Sequence, residues 1–171
     1  SELNPTDEVT VTAWIKPKSP SAGDERIVDK SNKRGGYSLY LANRARTGDG
    51  SAELYLAGQI GDGGNNFRNT QNPRLAPDKS HFAAITAVSN QKFTLWLDDT
   101  KIHEENIGSM QAYTGALGIG ESGFNGIIDE ARVYDRFLSP TEISDIYHGS
   151  EPNRSGLVGE WTFNEGSGTV A

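Results

Sequence analysis

A chain of 171 residues is long enough for one β-sandwich with a two-sheet core, and two independent domains would each be small. Twenty glycines, one methionine and no cysteine describe many short elements joined by tight turns, which argues against a helical bundle and removes disulfides and thiolate metal sites. A net charge of −7 opposes nucleic acid and anionic membrane surfaces, and no apolar run reaches the roughly 18 residues of a membrane span, so neither nucleic acid nor membrane insertion is expected.

The first alternating run, EVTVTAWIKP, puts Val9, Val11, Ala13 and Ile15 on one face and Thr10, Thr12, Trp14 and Lys16 on the other. Pro17, with no N–H to donate, ends it. RIVDK at 26–30, GYSLYLA at 36–42 and AELYLAG at 52–58 read as further strands, each bounded by turn-forming residues. The stretch from 58 to 72 has no apolar period and reads as a long surface loop, where recognition commonly resides. HFAAITAV at 81–88 and KFTLWLD at 92–98 are spaced for an antiparallel hairpin, and TKIHEEN extends it to a three-strand meander. Ser139, Pro140, Thr141 and Glu142 form a capping box. It opens a two-turn helix carrying Ile143, Ile146 and Tyr147, with Gly149 as a left-handed terminator. EPNRS then reads as a linker before a last strand, GLVGEWTF. The whole chain, 1–171, is expected to be one all-β domain.

The block LGIGESGFNGIIDEARVYDRFLSPTEI resembles the signature of the laminin G-like, concanavalin A-like jelly-roll family. VTAWIKP, IVDK, GGYSLYL, HFAAITA and FTLWLD stand upstream in the family's order, so the resemblance runs from 7 to 147. It implies a two-sheet antiparallel sandwich with one short capped helix. A long polar loop, no assembled catalytic set and a linker-like segment before the last strand point to a binding module more than to an enzyme, attached to a larger secreted or cell-surface protein. Two departures are visible: Ser80-His81-Phe82 stands where the family often has Trp-His-His, and Asp98-Asp99 where it has Asp-Gly. The second places Asp99 where a left-handed residue is expected. GLVGEWTFNEGSGTVA resembles the family's first strand and turn, here carried last. Residues 156–171 are therefore expected to complete the domain's own sheet as a permuted strand, since a vacant strand position leaves an exposed edge. Strand exchange with a neighbouring copy is the alternative.

Adjacent carboxylates at Asp129 and Glu130 face opposite ways along a strand and cannot flank one glycosidic bond at roughly 5–9 Å separation. No catalytic residues are assigned. Glu130, Arg132 and Tyr134 share a face, which predicts a Glu130–Arg132 ion pair. Asp129 shares its face with Ala131 and Val133 and is expected on the core side, where a bare carboxylate is costly. The resemblance implies structural calcium (Ca2+) there, completed around Asn164, Glu165 and Gly166, with hydrogen bonds from turn amides as the alternative. Glycan recognition needs aromatic platforms beside amides and charged groups. The candidates are Asn65, Asn66, Phe67 and Arg68 in the expected loop, joined by Tyr40, Tyr55 and Tyr113. Trp14, Trp96 and Trp161 are expected to pack in the core, and His81, His103 and His148 make no metal spacing. The function expected is binding of a polysaccharide or other glycan. A structural or adhesion repeat is the second reading, and a glycan hydrolase or lyase drawing on Glu53, Glu104 and Glu105 the third.

Overall fold

The computed structural model describes residues 3–20, 23–32, 34–45, 52–63 and 67–164, with backbone alone at 44, 45, 52 and 67–72. In chain order the strands are β1 (Glu8–Pro17), β2 (Glu25–Ser31), β3 (Gly36–Ala45), β4 (Ala52–Ile60), β5 (Phe67–Leu75) and β6 (His81–Val88). They continue as β7 (Lys92–Leu97), β8 (Thr100–Asn106), β9 (Gly118–Ile119), β10 (Gly126–Tyr134) and β11 (Leu157–Trp161), with helix α1 (Pro140–Tyr147) before the last. They form a six-stranded sheet in the order β11-β10-β1-β6-β7-β8 and a five-stranded sheet in the order β5-β4-β3-β2-β9. Every pairing is antiparallel. This is the two-sheet sandwich that the alternating runs predict.

Alternation explains the core. Val9, Val11, Ala13 and Ile15 of β1, Ile85 and Ala87 of β6 and Phe93 and Leu95 of β7 meet Leu39 and Leu41 of β3 and Leu54 and Leu56 of β4 between the sheets. Part of the opposite face of the six-stranded sheet is covered as well. Phe82, Ala84, Trp96 and Tyr134 lie there under Ile143 and Ile146 of α1, with Trp14 and Tyr147 at the border. The hydroxyl of Thr10 fastens this second layer, donating to the Arg136 carbonyl at 2.8 Å and accepting from the Leu138 N–H at 3.0 Å.

The helix keeps its signalled caps. Ser139 Oγ accepts from the Glu142 N–H, and Glu142 Oε2 accepts from the Ser139 N–H at 2.9 Å. At the other end Gly149, with φ of 83°, donates to the Ile146 carbonyl, and Ser150 donates to that of Asp145, both near 3.0 Å. Arg136 Nη2 donates to Glu142 Oε1 at 2.7 Å, and this bond, helped by Ser139, holds the Glu142 carboxyl at about 2, below its ordinary 4.5. A depressed carboxyl stabilises the folded state above its unfolded value. Its contribution is complete above about pH 5 and disappears as pH falls from 4.5 through 2. Glu142→Gln is expected to lower stability by about 1–2 kcal/mol at pH 7 and by much less at pH 2.5, as read from urea midpoints at the two pH values.

Three expectations need correction. The stretch from 58 to 72 is not one loop: β4 runs to Ile60 and β5 begins at Phe67, pairing Gln59 with Phe67 and Gly58 with Arg68. β5 is an edge strand, and its ladder breaks between the Ala57 and Tyr55 pairs, which accommodates Pro73 where a central strand would not. The left-handed residue after β7 is Asp98, with φ of 54°, not Asp99. Its carboxylate accepts the Phe82 N–H at 2.9 Å and lies 3.1 Å from His81 Nδ1, so the side chain stabilises a turn where glycine is usual.

The third concerns Asp129. β10 carries one residue more than β1 between the Trp14–Asp129 and Thr12–Arg132 pairs, and Glu130 there has φ of 47°. This bulge resets the alternation. Ile128 packs against the main core, while Asp129 joins Trp14, Lys16 and Ile127 on the outer face. The expected Glu130–Arg132 ion pair is present at 3.2 Å.

Candidate functional site

The outer face of the five-stranded sheet collects polar side chains in rows set by strand register. Arg26, Tyr40, Ala57 and Asn69 stand opposite one another across β2, β3, β4 and β5. Asp29, Ser38, Gln59 and Phe67 form the next row, and Ala42, Tyr55 and Arg74 the row on the other side. The register break in β2 between Arg26 and Val28 brings Arg26 and Asp29 to this one face.

These groups hold one another. The Arg26 guanidinium lies 4.4 Å over the Tyr40 ring, donates to Ser38 Oγ at 3.0 Å and approaches Asp29 at 3.9 Å. Ser31 donates to Asp29 at 2.8 Å. On the β4–β5 side Tyr55 donates its phenol proton to Glu53, and Arg74 donates to the other Glu53 oxygen at 2.7 Å. The bond to Glu53 raises the Arg74 pKa further, so its charge is fixed. At the hairpin end Gln59 donates to the Asn32 carbonyl at 2.6 Å, and the Lys30 ammonium to the Gly115 carbonyl. Guanidinium forks, carboxylates and one amide held in place can recognise a hydroxyl-rich ligand through charge-assisted hydrogen bonds.

Of the aromatic residues expected as platforms, Tyr55 is half-buried on this face, whereas Tyr40 is fully buried with its ring taken by Arg26. Tyr113 is half-buried in the segment between β8 and β9, its ring against Gly115. Phe67 and Arg68 occupy β5 by register, and Asn65 and Asn66 lie outside the described residues. Arg26, Asp29 and Arg74 were not singled out from sequence, and Glu53 was named there only for hydrolysis. The alternation of Glu53 with Tyr55 in AELYLAG was the available signal.

Glu53 and Glu104 do not converge. Glu53 alternates with Tyr55 onto the outer face of the five-stranded sheet. Glu104 is opposite Thr94 on the outer face of the six-stranded sheet, bound by Lys101 at 3.2 Å. Glu105 pairs with His103 at 3.7 Å. At the expected calcium position, Asp129 Oδ1 accepts the Glu130 N–H at 2.8 Å. Asn164 is exposed, and Glu165 and Gly166 lie outside the described residues. Among the described residues, no group of three or more His, Asp or Glu side chains is placed to hold a metal ion.

Two antiparallel sheets face to face with a capped helix on one of them are the architecture of a jelly-roll sandwich domain. The chain belongs to the concanavalin A-like lectin/glucanases superfamily, matching it over residues 1–144. No curated protein matches it. Among solved structures, it is similar to a protein from Bacteroides ovatus described as carbohydrate binding, with a TM-score of 0.73 and 17% identity over 97% of this chain and 48% of that one. The chain thus spans about half the length of that relative. A heptameric SAP-like pentraxin from Limulus polyphemus gives a TM-score of 0.64 at 16% identity, covering 95% of this chain and 79% of the pentraxin. Domain 4 of AbnA, an extracellular arabinanase from Geobacillus stearothermophilus solved with arabinotriose, gives 0.59 at 15% identity over 85% and 69%. Identities this low establish shared fold.

Proposed function

We propose that this chain is a non-catalytic carbohydrate-binding module of a larger extracellular protein. The observation that carries the reading is the two charged pairs, Arg26 with Asp29 and Glu53 with Arg74, on one sheet face of a lectin-like fold. The similarity to proteins described as binding carbohydrate or arabinotriose supports the same class, by fold alone. The separation of Glu53 from Glu104 on opposite outer faces supports binding over hydrolysis, because hydrolysis requires two carboxyl groups roughly 5–9 Å apart.

Affinity electrophoresis against plant, algal and host polysaccharides tests this. Retardation is expected on at least one, with Arg26→Ala and Arg74→Ala each weakening it about tenfold or more, as loss of a charged hydrogen-bond donor does. Uniform migration on all gels would overturn the reading.

For Asp129 the amide of Glu130 already supplies a hydrogen bond, so removing calcium with a chelator is expected to leave the melting midpoint unchanged. An ion bound only by the folded state at 100 times its Kd would add about 2.7 kcal/mol and be plainly visible.

A structural or adhesion repeat is the second reading, favoured by β11 at the outer edge of its sheet, from which exchange with a neighbouring copy would start. In our reading β11 is the family's first strand, carried last, and pairs within its own chain. Size-exclusion chromatography at rising concentration is expected to give one monomeric species; a dimer that grows with concentration would favour exchange.

A further inference from the structure

On the opposite side of the sandwich from the polar rows lies a cleft of about 270 Å³, lined by Trp14, Ile15, Lys16, Ser80, Ile127 and Asp129. The bulge at Glu130 creates it: by turning Ile128 into the core, it leaves Ile127 and Asp129 outside, opposite Lys16 and Trp14. Ile127 is 57% exposed, which for a large apolar side chain stands out among the described residues. Trp14 is half-buried, stacked on Tyr147 with ring centres 5.8 Å apart and tilted against Phe82 at 5.6 Å, so its indole is fixed in place. An immobilised indole beside an open isoleucine makes an apolar surface that the core does not use. Around it, the Lys16 ammonium and Ser80 hydroxyl make no hydrogen bond or ion pair among the described residues. Asp129 contributes a carboxylate, one oxygen of which takes the Glu130 N–H.

We infer that this cleft is a second binding subsite, for one neutral hexopyranose ring. The inference rests on the carbohydrate reading above and adds a location on the other sheet. The volume falls below the roughly 300–1,000 Å³ of pockets for drug-sized ligands, which suits a single ring better than an oligomer. The C–H face of a pyranose covers Trp14 and Ile127, while its hydroxyls donate to Asp129 and accept from Lys16 as charge-assisted hydrogen bonds. Ser80 can donate or accept. One cation and one anion at the rim cancel, so an acidic or amino sugar gains from one and is opposed by the other.

The test is calorimetric titration of the full chain with methyl glucoside, galactoside and mannoside, following tryptophan fluorescence in parallel. Saturable binding of one of them is expected, with a fluorescence change from Trp14. Ile127→Asp and Asp129→Asn are each expected to weaken it about tenfold, and Arg74→Ala to leave it unchanged. Ile127 is largely exposed and Asp129 lies on the surface, so both variants should melt with the wild type; Ile127→Ser replaces the first if it does not. If Arg74→Ala abolishes binding while Ile127→Asp and Asp129→Asn do not, the sugar sits on the five-stranded sheet, and the subsite is overturned with the carbohydrate reading intact. Failure of every methyl hexoside to bind, with polysaccharide still retained on gels, overturns the subsite in the same way. Failure of both overturns both.

Discussion

A chain ended at Ser155, without β11, is expected to be about 4–6 kcal/mol less stable than the whole, from apolar burial and the lost ion pair together. Val158 and Trp161 pack against the main core and Leu157 against the helix-side layer, all half-buried and worth about 1 kcal/mol each. The electrostatic part is of similar size. Arg132 is only 6% exposed and is held between Glu160 of β11 at 3.0 Å and Glu130 at 3.2 Å. Removing one partner of a buried pair costs up to about 3 kcal/mol, and Arg132 then keeps Glu130 alone. The Glu160 carboxyl is held below its ordinary value first by the Arg132 hydrogen bond and then by that of Arg154. That part of the stability is therefore present above about pH 5 and lost as acid protonates Glu160 below its unfolded value. Glu160→Gln should reproduce a fraction of the loss at neutral pH and little of it in acid. With typical domains stable by about 5–15 kcal/mol, the shortened chain is expected to unfold at low urea and, with the edge of β10 bare, to aggregate. If it melted like the whole chain, β11 would carry no weight in the fold.

The elements legible in the sequence were those whose residues alternate cleanly or carry a specific local device. β1 alternates without interruption, and Ser139 with Glu142 announces the helix three residues apart. β5 was not legible. An edge strand facing water needs no apolar alternation, and Asn69, Asn72 and Pro73 read as loop until the partner strand β4 is known. Nor was the phase of β10, because one inserted residue at Glu130 moves Asp129 from one face to the other and nothing in IIDEAR marks it. The binding face followed the same pattern. Tyr55 has the parity of a surface residue and could be proposed. Arg26 joins that face only through the break in β2, and the Glu53–Arg74 bond needs β5. Burial of Tyr40 depends on Arg26 and on its neighbours across strands, which are contacts no single run of residues encodes.

Gly36→Ala is expected to cost about 3 kcal/mol, from left-handed strain and overpacking acting together. Gly36 closes the β2–β3 hairpin opposite Ser31, at φ of 80°. A methyl group there would stand 1.9 Å from the Lys30 carbonyl oxygen and 2.9 Å from its carbon, backbone atoms that cannot swing aside. The surroundings leave little slack, since Gly36 donates to the Gln111 carbonyl and accepts from the Gly61 N–H, both at 2.8 Å. Gly149→Ala is the control: its φ of 83° is nearly the same, but nothing lies within 4 Å of the added carbon, so only the conformational cost of about 1–2 kcal/mol should appear. Urea midpoints at unchanged slope separate the two, the excess at Gly36 measuring the close approach. The same hairpin sets which residues of β2 stand beside Ser38 and Tyr40. Gly36→Ala should therefore also weaken retention on whatever polysaccharide gel the wild type binds, whereas Gly149→Ala, at the far end of the helix, should not. Equal costs at the two glycines would mean that the hairpin opens freely, and the polar rows would lose the fixed register on which recognition depends.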